Sequence, residues 1–351
     1  MKPTEMRNIV KEVWMDLSRR HFLLASAGTY LTGCTTYPRP GEPVKRPTIE
    51  TFASELEMIV SPDEELETLG VGYKWAEGPT WDKSRSVLYF TDVPTNKAYV
   101  WRPGEGVSVF LDPSGVAQAD GFREPGANGL LFARDKRLLL CNHGRRAIEV
   151  MNLETKSREL IVGEYQGRRF NSPNDIVEAS NGDLYFTDPP YGLEGLNASA
   201  LKEMEINGVY RFSSKGGLMR ILEDMTYPNG IALSPDEKYL YISQSDSEAP
   251  LVRRLNLLTG KEDPIWFDAS AYMQDGPGFP DGIAVAANGY LFATGPGGIF
   301  ILTPEGKALG RINPGRACAN CAFAEDGQTL FITAQDRLMR LRLKIKGLGW
   351  T

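Results

Sequence analysis

Histidine is almost absent from this chain of 351 residues, which contains only His21 and His143. Two histidines cannot supply three imidazoles to one metal, so a three-histidine zinc centre is excluded. A serine–histidine–aspartate triad would depend on His143, because His21 falls within a predicted export signal. The G-x-S-x-G elbow that presents a nucleophilic serine in many hydrolases does not occur either. A catalytic site would therefore need other side chains.

Long apolar runs and an excess of positive charge are also missing. No stretch reaches the ~18 apolar residues that a membrane-spanning helix needs. The formal net charge is −6, whereas nucleic-acid binding needs a basic surface that displaces counterions. We therefore expect no nucleic-acid partner, and contact with a membrane only through a lipid anchor.

The first 34 residues have the order of parts of a twin-arginine export signal. Arg19 and Arg20 precede a short apolar run from Phe22 to Leu31, and Cys34 follows in a lipoprotein-like cleavage box. The pattern predicts export by the twin-arginine machinery to the periplasm or cell envelope. Cys34 is the candidate lipidation site, and export without a lipid is the alternative. Residues 35–55 are rich in proline and predict a tether, followed by a propeller domain over 56–345.

A plan of polar residue, small apolar stretch, turn and β-rich run occurs six times at a spacing of about fifty residues. Short runs rich in Tyr, Phe, Ile, Val and Thr predict strands rather than helices. About four strands per repeat are typical of a propeller blade, so we predict an all-β, six-bladed β-propeller, with a β-sandwich as the alternative. Glu57–Val60 is the candidate for the strand that closes the last blade. The repeats start at Glu77, Asn128, Asn174, Asn229, Asp281 and Asn320.

These six starting residues form a predicted ring, because the first strand of each blade lines the central channel of a propeller. Every member carries a side-chain oxygen, which suits a hard cation. Calcium is the ion this ring favours, and zinc, manganese and magnesium are alternatives. The alternative is a water-filled channel without a metal, in which the Asn-Gly and Asp-Gly pairs only form turns. This alternative explains the glycines but not Glu77.

Several motifs together resemble the SMP-30/gluconolactonase/luciferin-regenerating-enzyme family, and its bacterial gluconolactonase-like members most of all. The resemblance implies a propeller that hydrolyses a lactone with one bound divalent metal. By this resemblance, the residues that would bind the metal are Glu77, Asn174, Asn229 and Asp281. The motifs are Glu77–Trp81, Asn171–Asp175, Asp188–Leu193, Pro228–Asp236 and Pro280–Gly282.

Two residues are candidates for the base that activates water. The resemblance assigns this role to Asp281, although a carboxylate beside a cation is a weak base. His143 ends the second strand of its repeat near the predicted channel mouth, and a packed histidine without a catalytic role is the alternative. The candidate substrate-binding residues are Asn128, Arg169, Asp188, Tyr191 and Asn320, with loop architecture as the alternative for Asp188 and Tyr191.

The sequence thus predicts a metal-dependent hydrolase that opens a sugar lactone. A phosphotriesterase or arylesterase on the same metal is one alternative, because a metal polarises P=O as it does C=O. A propeller that only binds a sugar or a protein at the envelope is another. Cys318 and Cys321 are spaced like half a zinc site, but the other half is missing, and Cys321 is predicted to be an apolar filler.

Overall fold

Each predicted repeat folds into an antiparallel sheet in the computed structural model, which describes residues 47–350. The inner strand of every sheet contacts the inner strands of the sheets on either side, and this circle closes between the last sheet and the first. Within the described range the protein is therefore a six-bladed β-propeller, which confirms the predicted fold. The predicted export signal and Cys34 lie outside the described residues.

The blades follow one another along the chain, and each runs from its inner strand outward. The second strands of blades 1, 3, 4 and 6 are rich in aromatic and β-branched residues, which suit the buried face between neighbouring blades. Blade 1 comprises Ala76–Asp82, Val87–Asp92, Lys97–Arg102 and Gly106–Leu111; blade 2 comprises Ala127–Phe132, Leu138–Asn142, Ala147–Met151 and Arg158–Val162; blade 3 comprises Ile176–Glu178, Leu184–Asp188, Gly208–Ser213 and Gly217–Leu222.

Blade 4 comprises Pro228–Leu233, Tyr239–Gln244, Leu251–Asn256 and Glu262–Asp268. Blades 5 and 6 each add one strand from the N-terminal part of the described chain, given last in each list. Blade 5 comprises Ile283–Val285, Leu291–Gly295, Gly298–Leu302, Ala308–Asn313 and Thr48–Thr51; blade 6 comprises Asn320–Ala324, Thr329–Ala334, Arg337–Arg342 and Glu67–Val71.

The remaining regular structure is short. A two-stranded ribbon pairs Glu164–Tyr165 with Arg168–Arg169, outside the six blades. None of the helices within residues 47–350 has the length and apolar character that crossing a membrane would require. The 3₁₀ turns are Ser54–Met58, Val93–Thr95, Leu196–Ala198 and Ser270–Tyr272.

The strand that closes the propeller differs from the predicted one. Glu67–Val71, not Glu57–Val60, pairs with Arg337–Arg342 as the outer strand of blade 6. The earlier segment instead contains a 3₁₀ turn, and its buried residues Leu56, Ile59 and Val60 pack into the core that blades 5 and 6 share. Leu56, Ile59 and Val60 are three residues and one residue apart, whereas the buried residues of a strand alternate at every second position. This spacing explains why the segment forms a turn and does not pair with a strand of blade 6.

The start of the sheet structure also differs from the prediction of a tether to residue 55. Thr48–Thr51 adds to the outer edge of blade 5, with Thr48 opposite Asn313 and Thr51 opposite Gly310. Glu50 on this strand contacts Arg311, whose side chain is only 4% exposed. Asp275 lies 3.0 Å from the same guanidinium. The buried cation therefore holds the N-terminal strand in place.

We expect Glu50→Ala to lower the free energy of unfolding by about 2 kcal/mol, because it leaves the buried Arg311 guanidinium with fewer charged partners. Denaturant titration of wild type and variant would measure the change. Glu55→Ala is the matched control, since Glu55 pairs with Lys307 at the surface and exposed pairs contribute little. Equal stability of Glu50→Ala and wild type would contradict a stabilising role for this contact.

Candidate functional site

The six predicted ring residues meet at the central channel. Glu77, Asn128 and Asn229 are each the second residue of an inner strand. Asn320 begins the inner strand of blade 6, and Asn174 directly precedes the Asp175–Ile176 start of blade 3. Asp281 occupies the corresponding place before Ile283–Val285. Except for the partly buried Asp281, all are at least 92% buried.

Close contact between neighbouring inner strands brings these residues together. A Cβ on Gly129 would lie 2.5 Å from the Asn174 carbonyl oxygen, and one on Gly230 would lie 2.0 Å from that of Asp281. Glycine follows four of the six ring residues, because at those positions the next blade leaves no room for a side chain. The Thr187 hydroxyl also donates to the Asn229 carbonyl oxygen, at 2.7 Å. The Asn-Gly pairs therefore serve inter-blade packing as well as turns.

The amides of three consecutive blades contact one another around the channel. Asn128 Nδ2 donates to Asn174 Oδ1, and Asn174 Nδ2 donates to Asn229 Oδ1. Asn320 Nδ2 lies 3.4 Å from Glu77 Oε2 across the boundary between blades 6 and 1. A half-turn of an asparagine amide exchanges its nitrogen and oxygen, so each amide can present an oxygen to the axis.

The two ring carboxylates repel each other in a buried setting. Burial raises the pKa of Glu77, and the negative charges of Asp175 and Glu124 raise it further, against hydrogen bonds from Gly78 and Asn320. Burial, and then the charge of Glu77, raises the pKa of Asp281 well above its ordinary value. No lysine or arginine of residues 47–350 hydrogen-bonds to either carboxylate. When both carboxyls are ionised, their negative charge is unbalanced, and a cation between them would neutralise it and favour the ionised forms.

The donor chemistry of the ring fits a hard divalent cation. Glu77 and Asp281 supply two carboxylates, and Asn174 and Asn229 supply amide oxygens from the blades between them. Across the described part of the chain, no three His, Cys, Asp or Glu side chains cluster in the manner of a metal site. A site here would therefore depend on amide oxygens, which calcium accepts readily and which thiolate- or imidazole-seeking metals do not favour.

His143 lies fully buried beside the ring. Its Nδ1–H donates to the Glu124 carbonyl oxygen at 3.2 Å, which leaves the Nε2 lone pair available. Nε2 makes no hydrogen bond within the described chain, although Asn174 lies close enough to raise the imidazole pKa. Burial outweighs that effect and lowers the pKa of His143 to about 3, so the imidazole is neutral. His143 thus presents a proton acceptor next to a predicted metal ligand.

Two loops join at the mouth of the channel around His143. The backbone N–H groups of Arg123 and Glu124 donate to the Gly192 carbonyl oxygen at 2.9 and 3.3 Å. A Cβ on Gly192 would lie 2.7 Å from that of His143. The segment before blade 2 and the segment after the second strand of blade 3 therefore enclose the histidine together.

The predicted substrate-binding residues are not all brought together. Asp188 is fully buried, and its two oxygens accept the N–H groups of Asn171 and Ser172, both at 2.8 Å. It thereby holds the segment that carries Asn174. Tyr191 stacks on Tyr227, with ring centroids 5.7 Å apart. Arg169 is exposed on the two-stranded ribbon, and its guanidinium donates to the Arg145 carbonyl oxygen at 3.0 Å.

Asp175 and Glu124 were not predicted as site residues from the sequence. Asp175 is near the channel and accepts N–H groups from Ile176 at 2.9 Å and Ile231 at 3.3 Å. Burial raises its pKa to about 6. Its signal in the sequence is an aspartate where four other repeats have glycine. Glu124 had no such signal, because it precedes its repeat and belongs to a loop.

Cys318 and Cys321 are buried free thiols. Burial raises the pKa of both thiols, and Cys321 is the first residue after the ring member Asn320. Its sulfur lies 3.5 Å from the Phe292 carbonyl oxygen and packs in the core of blades 5 and 6. The expected role as an apolar filler agrees with this environment.

Known proteins share this architecture and much of the sequence. A family model described as SMP-30/Gluconolactonase/LRE-like region matches residues 75–336. A gluconolactonase from Zymomonas mobilis is 42% identical over 309 residues, which cover 85% of this chain and 87% of that protein. The ring, His143 and the strands that position them all lie within the matched range.

Solved structures show the same fold. A gluconolactonase from Xanthomonas campestris has a TM-score of 0.73 and 30% identity, over 88% of this chain and 99% of that one. Regucalcin from Agrobacterium tumefaciens, a calcium-binding protein, has a TM-score of 0.64 and 18% identity, over 82% of this chain and 95% of that one. The second likeness concerns the fold alone.

Proposed function

The chain belongs to the SMP-30/gluconolactonase/LRE-like family and is a lactonase-type ester hydrolase, and we propose that it opens a sugar lactone with the help of a divalent cation at the channel ring. The observation that carries this proposal is the position of His143, whose free Nε2 lies beside the oxygen-rich ring. A proton acceptor next to a cation site is the minimum that metal-assisted hydrolysis of an ester needs.

Glu77, Asn174, Asn229 and Asp281 would hold the cation, and calcium suits these oxygens best. When bound there, the cation would polarise the lactone carbonyl and stabilise the negative charge that develops on its oxygen. Asn128 and Asn320 complete the ring and remain close enough to contact the substrate. The resemblance gives the ligand set, and the two carboxylates, which pair with no lysine or arginine of residues 47–350, support it.

His143 would orient the attacking water through Nε2. As the water oxygen bonds to the carbonyl carbon, Nε2 takes one water proton. The acyl C–O bond of the ring then breaks, and the proton passes to the departing ring oxygen, so the product is a hydroxy acid. The pKa of about 3 makes Nε2 a weak base, which hinders the first proton transfer and favours the return of the proton. Asp281 is the alternative acceptor for the same proton.

A substrate panel tests the activity. Wild type should hydrolyse glucono-δ-lactone with added Ca²⁺, lose turnover in a chelator, and regain it when Ca²⁺ is restored. Aryl esters and organophosphates in the same panel test for an arylesterase or phosphotriesterase on this site. Metal-dependent binding of a sugar without turnover of any compound would contradict the hydrolase and favour a binding propeller.

Export is a separate proposal, motivated by Arg19, Arg20 and Cys34 in the sequence. Replacing both arginines by lysine should leave the precursor in the cytoplasm, and Cys34→Ser should release the protein from membranes. Fractionation followed by immunoblotting measures both effects. A Cys34→Ser variant that fractionates with membranes like wild type would contradict lipid attachment.

A further inference from the structure

Ser245 has a hydroxyl beside the ring that the proposed mechanism does not use. The residue is partly buried and directly follows the second strand of blade 4. Its Oγ donates to the Pro280 carbonyl oxygen at 2.5 Å and accepts a hydrogen bond from Asn229 Nδ2 at 2.9 Å. Because Pro280 directly precedes Asp281, this hydroxyl connects the segments that carry two predicted metal ligands, one from blade 4 and one from blade 5.

The hydrogen bonds of this hydroxyl leave the Asn229 amide one orientation. A carbonyl oxygen can only accept, so the single hydroxyl proton of Ser245 goes to Pro280. Oγ therefore faces Asn229 as an acceptor, and the amide must present Nδ2 to it. A half-turn of Asn229 would place Oδ1 against an oxygen that has no proton left to donate, and two acceptors in contact away from bulk water are unfavourable.

The orientation of Asn229 extends to the two preceding blades. Asn229 Oδ1 accepts from Asn174 Nδ2, and Asn174 Oδ1 accepts from Asn128 Nδ2. These three amides thus form a series in which each donates toward the next blade, and turning one of them alone would place two like atoms against each other. The Oδ1 atoms of Asn174 and Asn229 each use one lone pair in the series and keep the other. The series ends at Ser245, whose proton sets its direction.

We propose that Ser245 is a positioning residue for the cation ring, whose hydroxyl fixes the direction of the amide series so that Asn174 and Asn229 each keep an oxygen lone pair for the ion. Groups that orient a metal ligand without touching the metal change metal affinity by about 10- to 100-fold. Without the hydroxyl the series can run in either direction, and the fraction of molecules that present both oxygens falls. This inference rests on the cation site of the proposed function.

The test compares Ca²⁺ binding and the hydration of the bound ion with and without the hydroxyl. Ser245→Ala should raise the Kd for Ca²⁺ about tenfold, whereas Ser245→Thr, which keeps a hydroxyl, should bind Ca²⁺ like wild type. Ser245→Val repeats the comparison, because valine has the shape of threonine without its hydroxyl. Isothermal titration measures these affinities. Eu³⁺ luminescence lifetimes in H₂O and D₂O count the waters on the ion, and Ser245→Ala should gain about one water in place of an asparagine oxygen.

Ser234→Ala is the matched control, because Ser234 lies at the other end of the inner strand of blade 4. Its Oγ also makes two hydrogen bonds, donating to Asp236 Oδ1 at 2.7 Å and accepting the Tyr239 N–H at 3.0 Å. Loss of this hydroxyl should lower the temperature of thermal unfolding but leave Ca²⁺ affinity and the number of bound waters unchanged. The control therefore separates an effect on the ring from a general loss of stability in the blade.

Two results would overturn the inference. Equal Ca²⁺ affinity and equal hydration in Ser245→Ala and Ser234→Ala would show that Ser245 only supports the fold. Equal losses of affinity in Ser245→Thr and Ser245→Val would show that the hydroxyl does not set the affinity. In either case lactone opening by wild type with Ca²⁺ still supports the proposed function, whereas a wild type that binds neither Ca²⁺ nor Eu³⁺ overturns the cation site and this inference with it.

Discussion

Glu77→Gln should lower kcat/KM for glucono-δ-lactone by about a hundredfold or more, and should weaken Ca²⁺ binding in parallel. The substitution keeps the shape of the side chain but removes one of two negative charges that would balance the cation. Glu77 is 3% exposed, and its Oε2 already accepts the Gly78 N–H at 2.9 Å. The variant should therefore fold normally, and its defect should be electrostatic.

Isothermal titration with Ca²⁺ and steady-state kinetics measure the two effects together. Asn320→Ala is the matched control, since Asn320 contacts Glu77 but is outside the inherited ligand set; its effect should be much milder. Asp281→Asn should harm turnover more than binding if Asp281 also accepts the proton. Unchanged activity and metal content in both Glu77→Gln and Asn229→Ala would refute the mechanism while leaving the fold intact.

His143→Asn should lower kcat by about 10²- to 10⁴-fold while Ca²⁺ binding stays close to that of wild type. The asparagine amide can still donate to the Glu124 carbonyl oxygen, so the mouth loops keep their contact. It does not extend to the position of Nε2, so the water loses its acceptor. Rapid-mixing measurement of lactone opening at saturating substrate isolates kcat from binding.

His143→Gln provides the comparison, because its longer amide reaches farther toward the position of Nε2. It should retain more activity than His143→Asn if Nε2 mainly orients the water. If neither variant loses turnover, and Asp281→Asn abolishes it with Ca²⁺ still bound, Asp281 is the proton acceptor. Thermal unfolding of both histidine variants shows whether the packing against Gly192 survives.

The repeat made most of the blade structure predictable. Runs such as Leu184–Asp188 combine aromatic, β-branched and hydroxyl residues that fit only a buried strand with an inter-blade hydrogen bond. The predicted ring followed from the repeat and the geometry of a propeller. The closing strand was misplaced because Leu56, Ile59 and Val60 are more apolar than Glu67–Val71, although their spacing is wrong for a strand.

The mouth of the channel could not be predicted in the same way. Glu124 and Arg123 precede the second repeat, and only the folded loop brings the Glu124 carbonyl to His143. Arg169 precedes Asn174 by only five residues in the sequence, yet its side chain lies on the two-stranded ribbon and donates to the Arg145 carbonyl oxygen. Position relative to a repeat therefore locates a ring residue, whereas contacts between two irregular loops depend on tertiary structure.

The pairing of Glu67–Val71 with Arg337–Arg342 has a consequence for biosynthesis. The outer strand of blade 6 is synthesised before all six inner strands, and its partner Arg337–Arg342 is the last strand of the described chain to be made. Early blades can form as local hairpins, but Glu77 acquires its neighbour Asn320 only when the final repeat has been translated. Such long-range pairing raises the contact order and slows the last folding step. A nascent chain stalled before blade 6 should therefore have folded blades with an open edge and no competent cation ring.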